Sequence, residues 1–251
     1  SGLDLLSTYA SDSEDDDDVN DNDKSNENFK RLPLPVSILA WEGVPHHEDV
    51  YDNPSQHEGR VRSFKHERGN WATLIYINYE PSENMLSWMF SILKELSVKC
   101  NILSEQFHIS VTRTLILKFH WIESFVEETK KLCRQTDQFS LELLNVQVYT
   151  NEENMRTFLG IQCVDCKGTL THFVKNLNKI LAEYELPPFY EDFSYHISFM
   201  WCLGNEVSVL NDYTYSLTTK LNQFLIENAE ERYIHVTTIH LKIGNKLYAF
   251  K

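Results

Sequence analysis

The chain contains no run of apolar residues approaching the ~20 that a helix needs to span a bilayer. Its first residues are polar and lack the charged-then-apolar order of a secretory leader, so a soluble protein is expected. Cysteine is scarce: Cys100, Cys133, Cys163, Cys166 and Cys202 are odd in number and widely spread. That usage lacks the density of a disulfide scaffold and points to a reducing compartment, cytoplasm or nucleus. Metal-ligand spacing is missing as well. Cys163-x-x-Cys166 has no second Cys or His pair at zinc distance, which favours buried thiols. His46-His47, His57 and His66 lie among carboxylates without regular spacing, as a solvated loop would place them.

Positive charge is in deficit too. The formal net charge is −14, and the first thirty residues hold ten Asp or Glu against Lys24 and Lys30. A grip on long nucleic acid, which needs many Lys and Arg against phosphates, is thereby disfavoured. An enzyme that holds only the last nucleotides of a strand is not. Ser11-Asp12-Ser13-Glu14 followed by Asp15 to Asp18 cannot bury apolar surface and repels itself, so residues 1–30 are expected to be a disordered acidic tail. Arg60, Arg62, Lys65 and Arg68 form the densest basic cluster, which by itself reads as a solvated face or as a partner of the chain's many carboxylates.

The 251 residues suffice for a large core. Leu32-Pro33-Leu34-Pro35 and the stretch from Val44 to Gly59 read as irregular connection, and a patterned order begins at Trp71. Trp71 to Asn78 reads as strand, Asn84 to Ser97 as helix, Phe107 to Arg113 as strand, Phe119 to Cys133 as helix and Leu141 to Tyr149 as strand. The second half repeats the order: strand at Arg156 to Val164, helix at Thr169 to Tyr184 capped by Thr169 or Thr171, strand at Tyr195 to Leu203, helix at Tyr213 to Asn228. Strands at Tyr233 to Ile243 and Lys246 to Phe250, joined by Gly244-Asn245, close the chain. The expected fold is α+β, with two pseudo-symmetric lobes, each an antiparallel sheet with helices. They form one domain over residues 31–251, with lobes at about 59–150 and 151–251.

The middle strand of each half carries the same tripeptide, His108-Ile109-Ser110 and His196-Ile197-Ser198, with the histidines 88 residues apart. Residues i and i+2 of a strand share a face, so each His points with its Ser while Ile109 and Ile197 point to the core. Two imidazoles titrating near neutrality can divide labour as base and acid, and two hydroxyls can donate hydrogen bonds to phosphate oxygens. His235-Val236-Thr237 fits the same pattern but lies in the last strand of its unit, so His235 and His240 read as structural. The site residues expected to act on a phosphodiester are therefore His108 and His196 as catalytic groups, and Ser110 and Ser198 on phosphate, with no metal and no cofactor.

At these motifs the chain resembles the two-histidine (2H) phosphoesterases. More narrowly, residues 59–73 (GRVRSFKHERGNWAT), Phe189 to Ser198 and Trp201-Cys202 resemble the eukaryotic family of U6 small nuclear RNA 3′-end phosphodiesterases, over roughly residues 59–251. The resemblance implies a monomeric, nuclear 3′ to 5′ exoribonuclease whose partner is the oligouridine-tailed 3′ end of U6 RNA. It implies attack by the penultimate 2′-OH, a 2′,3′-cyclic phosphate product, one histidine as base and the other as acid, and Tyr190 as a platform stacking on the terminal uracil; the near symmetry of the mechanism leaves the assignment open, with His196 favoured as base and His108 as acid. The alternatives are another 2H activity (cyclic phosphodiesterase or 2′,5′-phosphodiesterase), a catalytically silent RNA-binding splicing protein, and a metal-dependent nuclease.

Overall fold

The computed structural model describes residues 67–103, 106–151, 153–190 and 194–251, all within one compact unit of the chain. The acidic tail, the Val44–Gly59 stretch, the histidines before Glu67 and the basic residues Arg60, Arg62 and Lys65 lie outside the described residues. The order of elements is β1 (Asn70–Tyr79), α1 (Glu83–Leu93), β2 (Cys100–Ile102), β3 (Phe107–Ser110), β4 (Leu115–Lys118), α2 (Ile122–Arg134), β5 (Phe139–Thr150) and β6 (Arg156–Val164). There follow α3 (Thr169–Glu183), β7 (His196–Leu203), α4 (Val207–Glu227), β8 (Tyr233–Val236), β9 (Ile239–Ile243) and β10 (Lys246–Phe250).

Alternation in the strands decides which face is dry. In β1, Thr73, Ile75, Ile77 and Tyr79 are buried on one face. Residues 74, 76 and 78 face the other way. The helices are amphipathic and bury their apolar stripes in the same core: Met85, Trp88, Met89 and Ile92 from α1, and Leu170, Phe173, Val174, Leu177 and Leu181 from α3. The opposite face of the sheet is left for chemistry. Ser82 caps α1 by accepting from the Met85 amide at 3.1 Å. Thr169 and Thr171 do not cap α3. Gly168 holds the cap position at φ 75° and the Asp165 carboxylate accepts from the Thr171 amide at 2.8 Å.

The strands form one antiparallel sheet in the order β10-β9-β1-β3-β7-β6-β5-β8, with β4 added on β1 and β2 on β7. The α+β class and the antiparallel pairing are as expected, and the two half-sheets join edge to edge where Ile109 pairs with Ile197. Around that join the pairings repeat. Tyr76 pairs with Ser110 and Asn78 with His108, while Gly160 pairs with Ser198 and Gln162 with His196. A pseudo-twofold therefore exchanges β3 with β7, β1 with β6 and β9 with β5.

The halves of the sheet do not coincide with the halves of the chain. β5 pairs with β6, and β9 and β10 assemble on β1. The short connection between Thr150 and Arg156 folds β5 and β6 into a hairpin, so the last strand of the first unit joins the second unit's half. The expected single strand from Tyr233 to Ile243 breaks at Thr237-Thr238, which sends β8 to β5 and β9 to β1, on opposite sides of the sheet. Gly244, at φ 55°, begins the turn from β9 to β10 as its sequence suggested.

Cys133, Cys163 and Cys166 are free thiols; Cys163 is buried as expected, whereas Cys166 is exposed, which corrects the reading of both as buried. Cys100 and Cys202 face each other across β2 and β7 with Cα atoms 4.5 Å apart and are joined as a disulfide. Their separation of 102 residues and the brevity of β2 conceal this pairing in the sequence.

Candidate active site

Both His-Ile-Ser tripeptides lie in strands with the expected alternation. Ile109 and Ile197 are fully buried, while His108, Ser110, His196 and Ser198 are half-buried on the opposite face. One residue to either side of the Ile109–Ile197 pair, the antiparallel register sets His108 across from Ser198 and Ser110 across from His196. Two imidazoles and two hydroxyls thus alternate about one point. That arrangement is what a tetrahedral anion placed between the two strands would meet.

Backbone carbonyls fix the tautomers. His196 Nδ1 donates to the Ser194 carbonyl at 2.7 Å and His108 Nδ1 to the Gln106 carbonyl at 3.2 Å. A carbonyl only accepts, so each Nδ1 carries the proton and each neutral ring keeps Nε2 as the nitrogen that can exchange one. Burial lowers the pKa of both rings, overriding the raising effect of those carbonyls. His108 adds a further lowering influence on His196, so the two rings interact electrostatically, and the Lys242 ammonium does the same to His108.

The two rings are supported differently. Tyr149 of β5 stacks flat on His196, with centroids 3.7 Å apart and planes 13° from parallel. Its hydroxyl bonds to Ser194 Oγ at 3.1 Å and donates to Gln147 Oε1 at 3.4 Å, while Gln147 Nε2 donates to Gln162 Oε1 at 3.1 Å. Tyr149 reaches His196 only because β6 has no side chain at Gly160. A Cβ there would lie 2.9 Å from Tyr149 Cε2 and 3.2 Å from His196 Cδ2. His108 instead has the edge of Tyr76, with centroids 5.3 Å apart, and Tyr76 in turn stacks on His240 at 5.4 Å. Sequence reasoning missed Tyr149, Gly160 and Tyr76, because their proximity to the histidines is set by register between strands far apart in the chain. A Gly inside an apolar strand was the one available signal, marking a close approach of neighbours. Gly160→Ala is expected to push Tyr149 off His196. It should slow turnover and change the pKa of His196 read by NMR, with little change at His108.

Tyr190 is 44% exposed and lies after α3, with the Arg113 guanidinium 4.1 Å from its ring centroid. His235 is not brought to the join. It lies in β8 and exchanges a 2.8 Å hydrogen bond with Ser140 across the pair with β5. His240, read as structural from the sequence, packs on Tyr76 on the face that carries His108. Cys163 is buried, with its thiol pushed well above the usual range by burial, while Cys166 is exposed beside Glu142. Among the described residues no group of three or more His, Cys, Asp or Glu could hold a metal ion, and no helix is long and apolar enough to cross a membrane.

A family model described as "Uncharacterised conserved protein" (HVSL) matches residues 32–251. U6 snRNA phosphodiesterase 1 of Xenopus laevis is 34% identical over 248 residues, covering 97% of each chain. That of Homo sapiens is 32% identical over 225 residues, 88% of this chain and 83% of the human one. The chain belongs to the U6 snRNA phosphodiesterase 1 family. The fold of this family member is also that of a solved structure, Kluyveromyces marxianus Usb1, with TM-score 0.51 and 13% identity over 71% of this chain and 96% of the other. At that identity the likeness speaks for the fold alone.

Proposed function

We propose that this member of the family is a nuclear, monomeric 3′ to 5′ exoribonuclease that trims the oligouridine tail of U6 small nuclear RNA and leaves a 2′,3′-cyclic phosphate. One observation carries the reading: the Ile109–Ile197 pair, which brings two His-Ser sets to one join on the open face of the sheet. Family membership supplies the substrate, since the relatives are phosphodiesterases of U6 snRNA by name.

The scissile phosphate lies between the strands, its non-bridging oxygens held by the hydroxyls of Ser110 and Ser198. His196 Nε2 takes the proton of the penultimate 2′-OH as that oxygen attacks phosphorus. The bond from phosphorus to the 5′-oxygen of the terminal nucleoside breaks, and His108 Nε2 delivers its proton to the departing oxygen. The products are a free nucleoside and an RNA one residue shorter, closed as a cyclic phosphate; the proton count balances when the two imidazoles exchange roles through solvent. Lys242 supports His108 as the acid, because a nearby cation makes an imidazolium release its proton more readily. No step requires a metal or a cofactor.

Tyr190 is the platform for the terminal uracil, and Arg113 over its ring steadies it. Trimming of a uridine-tailed RNA should persist in EDTA, and Tyr190→Ala should weaken binding of the terminal uridine by roughly 1 to 3 kcal/mol. Loss of wild-type activity in EDTA would rule out the metal-free reading. Equal loss for every terminal base in Tyr190→Ala would remove Tyr190 from the role of uracil platform.

A further inference from the structure

The pseudo-twofold gives every residue of the site face a counterpart, and one counterpart pair differs in a telling way. On the His196 side, Gly160 of β6 pairs with Ser198, and on β5 Gln147 is opposite Gly160 and Tyr149 opposite Phe158. On the His108 side, Tyr76 of β1 pairs with Ser110, and on β9 His240 is opposite Tyr76 and Lys242 opposite Leu74. Gly160 thus corresponds to Tyr76, Gln147 to His240, and Tyr149 to Lys242. The position from which Tyr149 leans across Gly160 to cover His196 is filled, on the other side of the cleft, by a lysine.

Lys242 shares the face of the site. Its strand neighbours Leu241 and Ile243 are buried in the core while Lys242 is exposed. Tyr76 stands where Gly160 stands in the other half, so the missing side chain across which Tyr149 reaches His196 has no counterpart beside Lys242. Its ammonium nevertheless acts on that ring. The groups around His108 are Tyr76 and Asn78 of β1, with Glu80 accepting from Asn78 at 3.0 Å; His196 and Ser198 of β7; and His240 and Lys242 of β9. Among these groups Lys242 is the permanent cation, and a chain with a net charge of −14 needs local cations to receive a polyanion.

We propose that Lys242 is a substrate-binding residue, holding an RNA phosphate on the His108 side of the cleft. This rests on the phosphodiesterase reading above and adds to it an asymmetry: an aromatic support on one side, a phosphate contact on the other. An exposed ammonium at this position neutralises strand charge and fixes the side from which the RNA backbone enters.

The test compares wild type, Lys242→Met and Lys242→Arg on a uridine-tailed RNA and on the dinucleotide UpU, over a range of salt and pH. Lys242→Met should raise KM for the tailed RNA roughly tenfold, as loss of a charge-assisted contact does. It should reduce the slope of log kcat/KM against log salt by about 0.7, the value for one phosphate of a single strand. The pH limb belonging to His108 should move to higher pH, and Lys242→Arg should restore salt slope and pH limb together. A loss on tailed RNA but not on UpU identifies a phosphate neighbouring the scissile one; a loss on both identifies the scissile phosphate itself. Unchanged KM and salt slope in Lys242→Met, beside an active wild type, would overturn the assignment. So would a defect that Lys242→Arg fails to rescue. An inactive wild type would instead refute the phosphodiesterase reading.

Discussion

His108→Ala and His196→Ala are each expected to slow trimming by at least ~100-fold, the contribution typical of a positioned general acid or base. The fold should survive both changes. His108 and His196 sit on the open face, so loss of the first should alter stability by no more than about 0.5 kcal/mol. Loss of the second removes the Tyr149 stack and should cost about 1 kcal/mol. Denaturant unfolding checks the distinction: an inactive variant that is also grossly unstable would make the histidines structural.

The pH dependence has a definite sign. Both imidazoles have pKa values lowered in the folded protein, chiefly by burial. The unfolded chain therefore binds more protons than the native one as pH falls below ~6.5, and stability declines in that direction. Either alanine variant should show a shallower decline over the same window. For activity, kcat/KM reports the free enzyme, where one ring must be neutral and the other protonated. Its bell should sit on the acid side of the ordinary imidazole value, and the kcat profile should lie higher, because bound phosphate favours the imidazolium.

Replacing the 2′-OH of the penultimate nucleotide with hydrogen is expected to abolish cleavage, a larger effect than any single substitution in the protein. In the proposed mechanism the attacking oxygen belongs to the RNA, so nothing in the site can supply it. Such a substrate should still bind and compete with unmodified RNA, since the roles proposed for the serines, Lys242 and Tyr190 involve only parts it retains. Efficient cleavage of the deoxy substrate would mean that water attacks and that His196 activates it.

Much of this site was legible from alternation alone. His-Ile-Ser in a strand forces the imidazole and hydroxyl onto one face and the isoleucine onto the other, and the burial of Ile109 and Ile197 bears this out. The repeated order of elements foretold that the two copies would meet. Where the chain's halves would separate in space was not legible, because β5 follows its short connection into a hairpin with β6 while Thr237-Thr238 diverts β9 back to β1. The same distance hid Tyr149, 47 residues from His196. Its contact exists through two strand registers and one missing side chain, none of which leaves a local pattern. The Cys100–Cys202 disulfide has no local signature for a similar reason: a three-residue strand offers too little alternation to recognise.

Attack by a ribose hydroxyl between the two His-Ser sets joined at Ile109 and Ile197 would leave its mark on the RNA. Mass analysis of the shortened RNA after a single trimming event on a defined uridine-tailed substrate reads that mark, because the new terminus records which group attacked. A 2′,3′-cyclic phosphate and a released nucleoside are expected. A shortened RNA ending in a 3′-hydroxyl, with the phosphate carried away on a nucleotide, would contradict attack by the ribose.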